Sequence, residues 1–437
     1  MFGFNAQIFA LSVLAVSYVF LFTEKLNRAV TVLLGTSLLI FVGILSQETA
    51  ISAIDFNTLA LLIGMMIIVG ISEKSGMFQC LAIFSVKIVR ASPRGLMIML
   101  ALITAVLSAL LDNVTTVLLI VPVTFQITRN LKIKPYPFLL MEIFASNIGG
   151  TATLIGDPPN ILIGSAIHLS FMDFVYELTP LVIVCLFILI VIFDLFYSRK
   201  LTALPSDRAE LLRINPTDMI VDVGLFKKSL FVLILVLSGF IMAEYLHLQN
   251  GTIALFSAAL ILLFYTQGDA HMLRDRKVED AFSLVDWTTI FFFAGLFAIV
   301  FALETTGVLD ILAQRLIVLT QNSVQKATFS VLWIAAIVST FIDNIPFVAT
   351  MIPTLKSMEV HMGGREAMMP VWWALSVGAC FGGNGSLIAA SANVIVAGLA
   401  SKENEHISFA KFLIFGLPIM LISTLIAMLY FYAKHFI

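Results

Sequence analysis

The chain has 437 residues, of which 60% are apolar and 12% carry charge; its mean hydropathy is +1.04 and its formal net charge −2. A soluble domain carries about 25% charged residues, so soluble and disordered classes are excluded. With no basic stripe, nucleic acid is excluded as a partner. The expected class is an all-α polytopic membrane protein in contact with lipid. Its three cysteines, Cys80, Cys185 and Cys380, are scattered; they form neither a disulfide framework nor a zinc pattern, and packed apolar thiols are the simplest account of them.

About 20 apolar residues cross the hydrocarbon core as a helix. Uncharged runs over 1–23, 29–47, 56–72, 178–193, 229–243, 287–303 and 412–433 read as plain transmembrane helices. The first run precedes the first charge, Glu24, and lacks a basic leader, so it reads as a retained span. Segments 95–128 and 327–355 are interrupted by Asp112-Asn113 and Asp343-Asn344, which predicts re-entrant hairpins. Segments 137–166 and 370–400 are interrupted by Gly149-Gly150 and Gly382-Gly383, which predicts spans unwound at their centres. Non-helical backbone at that depth is tolerated inside protein or beside water, so these breaks point to a site. Segments 77–91 and 308–320 mix apolar residues with Lys87, Arg90, Asp310 and Arg315 and read as interfacial amphipathic helices.

The hairpin scheme has ten spans and both termini outside. It leaves only Arg315, Lys326, Lys356, Arg365 and Lys434 of the 25 Lys and Arg residues outside, in keeping with the positive-inside rule. The inside set includes Arg28, Lys87, Arg129, Arg199, Lys200 and Lys277.

The two halves match. Glu73 to Gly76 aligns with Glu304 to Gly307, and Asp112 to Pro122 aligns with Asp343 to Pro353, at an offset of 231. Gly149, Gly150 and Asn160 align with Gly382, Gly383 and Asn393 at an offset of 233. Five spans per half is an odd number, so the second half enters from the opposite side as an inverted repeat. The halves are 1–197 and 228–437, joined by a cytoplasmic linker, 198–227, with Pro205 and Pro216.

Four carboxylates lie deep in apolar sequence: Asp112, Glu142, Asp157 and Asp343. No Lys, Arg or His shares their apolar cores, which leaves protonation, hydration, backbone amides or a bound cation to stabilise them. They are the expected proton or cation coupling groups. The alternative for Asp112 and Asp343 is a helix cap at a hairpin tip, that for Asp157 a structural cap, and that for Glu142 a hydrated place near the cytoplasmic surface. Asp157 is followed by Pro158, Pro159 and Asn160; the prolines break the helical ladder and free carbonyls beside a carboxylate, an oxygen-rich place for a cation. Asn113, Thr115, Asn147, Thr151, Asn344, Asn384 and Ser386 surround the breaks with neutral donors and acceptors, a solute-binding set completed by Gly149, Gly150, Gly382 and Gly383. Half-helices starting there point positive dipole ends inward. The glycines also suit tight helix packing.

There is no Gly-Lys dipeptide and hence no P-loop. No His-Glu-x-x-His or Cys/His cluster indicates an enzyme or a resident metal, and no cofactor is expected. Asp112 and Asp343 as a catalytic pair, or a channel, fit the inverted halves less well than alternating access does.

Leu111-Asp-Asn-Val-Thr-Thr-Val-Leu-Leu and Asn147-Ile-Gly-Gly-Thr-Ala-Thr-Leu-Ile-Gly-Asp-Pro-Pro-Asn160 resemble the first-half signature of the arsenite-pump and melanosomal P-protein family. Asp343-Asn-Ile-Pro-Phe and Gly382-Gly-Asn-Gly-Ser-Leu-Ile-Ala-Ala-Ser-Ala-Asn393 resemble its second-half signature, and the likeness covers nearly the whole chain. The resemblance implies a member of the ion transporter superfamily, with hairpins meeting near the midplane, a scaffold, a mobile part moving as an elevator, and a homodimer. From bacterial members it implies the inner membrane and proton-coupled efflux of arsenite or antimonite, or efflux driven by a separate ATPase subunit. The Ser-Asn-Thr motifs of dicarboxylate relatives are replaced here by Asp-Asn-Val-Thr and Asp-Asn-Ile-Pro. Metalloid/proton exchange is the leading reading. Sodium/proton antiport and organic-anion (dicarboxylate) transport are the alternatives.

Overall fold

Each apolar run meets a residue that stops a helix, and those stops set the architecture. The computed structural model describes residues 5–23, 25–197, 201–268 and 270–437. Glu24, Arg199, Lys200 and the first three residues of the 198–227 linker lie outside the described residues. Every regular element described is helical.

The first half runs α1 Ala6–Thr23, α2 Arg28–Phe41, α3 Gln47–Ser52, α4 Phe56–Glu73, α5 Met77–Ile88, α6 Pro93–Leu110, α7 Asn113–Asn130, α8 Tyr136–Gly150, α9 Pro158–Ala166 and α10 Phe171–Tyr197. After α11 Pro205–Leu212 the second half runs α12 Val223–Leu246, α13 Asn250–Thr266, α14 His271–Phe282, α15 Trp287–Thr305, α16 Val308–Leu319, α17 Val324–Phe341, α18 Asn344–Glu359, α19 Gly364–Gly382, α20 Ser391–Lys402 and α21 Phe409–His435. Seven of these, α4, α6, α10, α12, α15, α17 and α21, are long and apolar enough to cross a membrane.

Two expectations are corrected. The run 29–47 is not one helix: α2 ends at Phe41, Gly43 turns the chain at φ +80°, and α3 starts afresh behind its Ser46 cap. The seven plain runs and two unwound spans make only nine of the ten expected spans, and the uncharged run 250–266, which they omit, forms the apolar helix α13.

Helix order repeats between the halves, and so does the packing. The α4–α5 and α15–α16 connections turn through Gly76 and Gly307, at φ +80° and +78°, each the N-cap of the next helix. A Cβ on Gly76 would lie 1.9 Å from the Met219 carbonyl oxygen, so only glycine fits that corner. α6 packs on α8 as α17 packs on α19. The outer helices exchange partners: α2 lies on α15, and α13 lies on α4. This crossed pairing locks the halves together, because each contributes one helix to the other's pair. Gly64 and Gly295 make the close approach possible, a Cβ there meeting the Ala254 backbone at 2.6 Å and the Val32 side chain at 2.7 Å.

Candidate functional site at the two helix breaks

The hairpins turn at Asp112 and Asp343. Each aspartate caps the following helix, Asp112 accepting from the Thr115 N–H at 2.7 Å and Asp343 from the Ile345 N–H at 3.1 Å. The capping role set out for these residues is therefore present. The exposed carbonyls at the ends of the first arms are capped from the broken spans. Thr153 Oγ1 donates to the Ala109 carbonyl, and Ser386 Oγ donates to the Thr340 carbonyl at 2.5 Å. The same stitch thus recurs in both halves and satisfies groups that a helix end leaves bare.

The breaks span residues 151–157 and 383–390. The glycine pairs end the helices before them, and none of the four has positive φ. Their use is close packing. A Cβ on Gly149 would meet the Ala105 backbone at 2.3 Å, and one on Gly382 would meet the Ala336 oxygen at 2.7 Å. Gly150 lies against the Gly156 carbonyl, and Gly383 against the Cys380 carbonyl. Pro158 and Pro159 occupy the first two positions of α9. They begin a helix there, where a missing N–H costs nothing.

The freed carbonyls are clamped. Asn160 Nδ2 donates to the Thr151 and Thr153 carbonyls at 3.2 and 2.9 Å. Asn393 Nδ2 donates to the Gly383 and Ser386 carbonyls at 2.7 and 2.9 Å. Two of the oxygens expected to serve a cation are thus already bonded to Asn160. Both asparagines also reach across the halves. Asn393 Oδ1 accepts from Asn147 Nδ2 at 3.1 Å, which also donates to Asn384 Oδ1 at 3.1 Å. Asn160 Oδ1 accepts from Ser376 Oγ at 2.6 Å and from Cys380 Sγ at 3.6 Å. Neither Ser376 nor Cys380 belongs to the solute-binding set read from the sequence; the signal was Cys380's place two residues before the second glycine pair.

Replacing Asn393 by Ala strips the Gly383 and Ser386 carbonyls of a donor in a buried place. The expected cost is about 1–3 kcal/mol for each orphaned group, read as a lower melting temperature in detergent; unchanged melting would contradict the clamp.

Asp157 differs from the hairpin aspartates. It stands at the N-cap of α9 but caps nothing. It is 1% exposed. Asn344 Nδ2, from the second hairpin, donates to its Oδ1 at 3.4 Å, and its Oδ2 lacks a hydrogen-bond partner. Ala390 occupies the corresponding place in the second half. Asn147 Oδ1 and Asn384 Nδ2 are likewise buried and unsatisfied. Glu142 sits apart from this seam, in mid-α8, with Thr124 Oγ1 donating to Oε1 while Oε2 is unpaired. Asn113 is buried at the first hairpin tip, and Thr151 Oγ1 donates to the Asn147 carbonyl at 2.8 Å. Among the described residues no Lys, Arg or His is buried.

The hairpin tips differ in access. Asp343 and Pro346 border a cleft of about 320 Å3 whose wall carries Arg28 and Ser391. The equivalent space at Asp112 and Thr115 is about 10 Å3, barely room for a single water. Arg28 donates to Ser391 Oγ at 3.1 Å and to Thr289 Oγ1 at 2.6 Å, and pairs with Asp286 at 3.2 Å. A separate cleft of about 600 Å3, with Asp55, Asp173, Glu304 and Lys356 on its walls, reaches the middle of α18.

Paired broken helices meeting at a buried polar seam, in a chain of apolar spans, define an integral membrane transporter. A model of the citrate transporter family matches residues 18–378, and the chain belongs to that family, within the ion transporter superfamily. It is 38% identical to the uncharacterized transporter Rv2684 of Mycobacterium tuberculosis over 99% of both chains. It is 32% identical to the human P protein over 98% of this chain, which spans 60% of that longer protein. The fold is similar to the YdaH transporter of Alcanivorax borkumensis (TM-score 0.62, 13% identity, covering 98% of this chain and 97% of that one). It is also similar to MtrF of Neisseria gonorrhoeae (TM-score 0.59, 14% identity, covering 92% and 85%). Family and relatives are transporters rather than enzymes.

Proposed function

We propose that the chain is a proton-coupled secondary transporter whose solute passes the seam between the broken spans, and that the solute is small, uncharged and hydroxyl-bearing, as arsenite and antimonite are near neutral pH. The observation that carries this reading is the composition of the seam. It offers an unpaired acceptor on Asn147, an unpaired donor on Asn384 and one carboxyl, Asp157, and among the described residues no buried cation lies beside them. A neutral trihydroxide both donates and accepts, and so matches that set. A polyanion would lose its hydration there without a compensating charge. Asp157 is the coupling group in this reading, with Asp112, Asp343 and Glu142 as further proton carriers.

A second reading, transport of an organic carboxylate, is favoured by the family's description and by Arg28 and Ser391 on the wall of the cleft at the second hairpin. In both readings the halves are inverted, the ten spans leave both termini outside the bacterial inner membrane, and a homodimer carries an elevator-like movement.

The test is internal pH in sealed proteoliposomes of pure protein. Arsenite or antimonite is expected to drive proton movement without any ATPase subunit. A response to citrate alone would replace this reading with the carboxylate one, a response to sodium alone would make the carboxylates a cation site, and silence with all four from folded protein would end the coupling mechanism.

A further inference from the structure

The two broken spans place different chemistry at one equivalent position. Asn147 and Cys380 are related by the same offset of 233 that relates Asn160 to Asn393. Asn147 donates its amide to Asn393 of the other half, and Cys380 donates its thiol to Asn160 of the other half. At this equivalent position the crossing donor is thus an amide on one side and, beside the Ser376 hydroxyl, a thiol on the other.

A thiol is a weak donor, and Asn160 does not depend on it. Ser376 holds the same Oδ1 at 2.6 Å, and both Asn160 N–H donations go to the Thr151 and Thr153 carbonyls. The thiol can therefore turn without orphaning Asn160. It also faces the Asp157 carboxyl and the Thr151 hydroxyl. Asp157, 1% exposed, has one oxygen without a hydrogen-bond partner. Cys380 is fully buried among these groups. The other two cysteines lie elsewhere, Cys80 on α5 and Cys185 on α10.

We propose that Cys380 is a positioning residue of the transport site, its thiol bordering the solute's path and shared between Asn160 and the Asp157 carboxyl, so that thiol-directed chemistry at this one residue blocks transport. The proposal rests on the transport reading above. It gives the seam a polarity that the repeat alone would not: the Asn147 side is fixed by two amide bonds, and the Cys380 side is held by the Ser376 hydroxyl, with a thiol beside it that can move.

The experiment uses the full chain with Cys80→Ala and Cys185→Ala as background, reconstituted as above, and compares Cys380→Ala with Cys380→Ser. Melting in detergent establishes that each variant is folded. In the background, methyl methanethiosulfonate is expected to abolish solute-driven proton flux, and saturating arsenite is expected to slow that loss. Cys380→Ser, which keeps a donor, should transport and resist the reagent. Cys380→Ala should raise the arsenite concentration for half-maximal flux about fivefold, the factor carried by one weak hydrogen bond, with maximal flux little changed. Half-saturation unchanged in Cys380→Ala, or equal block by the reagent in background and Cys380→Ser, would overturn the role of Cys380 while leaving the transport reading standing. A folded background protein that moves no protons with arsenite, antimonite, citrate or sodium would overturn both.

Discussion

Asp157→Asn is expected to abolish solute-driven proton flux, by about a hundredfold or more, the scale on which removing a proton-transferring group acts, while the protein still folds and melts normally. The substitution preserves shape, and the amide can still meet Asn344, whose Nδ2 lies 3.4 Å from the native carboxyl. What it removes is the ability to gain and lose a proton at a buried place where one oxygen is unpaired. The hairpin aspartates make the useful comparison. Asp112 and Asp343 cap helices through single backbone amides, and asparagine caps about as well. Their asparagine variants therefore retain the hairpin tips and report on charge alone. Flux in Asp157→Asn equal to wild type, with protein content matched, would remove Asp157 from the coupling path and transfer the role to Glu142 or the tips.

Gly149→Ala is expected to have the largest effect on stability among the glycines of the breaks. Its new methyl would meet the Ala105 oxygen, Cα and carbonyl carbon at 2.3, 2.5 and 2.7 Å. These are backbone atoms of the opposing hairpin arm and cannot rotate away. Separating α6 from α8 would also strain the Ser108 hydroxyl bond to the Ser146 carbonyl, 2.7 Å long. Overpacking of this kind costs about 1–3 kcal/mol or more; low yield and a melting temperature several degrees lower in detergent are the expected readouts. Gly398→Ala in α20 is the control, since nothing lies within 4 Å of its added Cβ. It should be neutral or slightly stabilising, because alanine is the better helix former. Equal melting of the two variants would contradict the close approach at Gly149.

Which features were legible in the sequence follows from how local their causes are. A buried Asp-Asn in an apolar run has few uses, and the helices do turn at Asp112 and Asp343. Glycine pairs and a Pro-Pro mark the breaks within a few residues, because each acts on its own backbone. Their roles were less legible. Whether a glycine bares its backbone to a solute or seats a neighbouring helix depends on Ala105 and Ala336, far away in the chain. The hydroxyl of Ser386 was counted in the solute-binding set, and it caps a hairpin arm instead, as Thr153 does in the first half, because partners 40 and more residues distant hold the bare carbonyls. Ser376 escaped notice for the same reason, and Cys380 read only as a thiol beside the second glycine pair, since their significance comes from Asn160 in the other half. The crossed pairs of α2 with α15 and α13 with α4 leave no mark in composition at all.

From Asp207 onward the segment between the halves is not slack. Lys132 pairs with Asp207 at 3.0 Å, and Arg208 donates to the Arg90 carbonyl at 2.9 Å. Farther on, Lys87 donates to Asn215 Oδ1 at 3.3 Å, and the Val221 N–H donates to the Ser75 carbonyl at 3.0 Å. From Asp207 to Val221 the chain is thus fastened to α5, α7 and the Gly76 corner, and α12 begins at Val223. Only Asp222 separates the last of these fastenings from the first helix of the second half. The tether between the halves is therefore about one residue long in mechanical terms, although some 25 residues of sequence lie between α10 and α12. Any large displacement of α12 must either carry the Gly76 corner with it or first release the Val221 hydrogen bond.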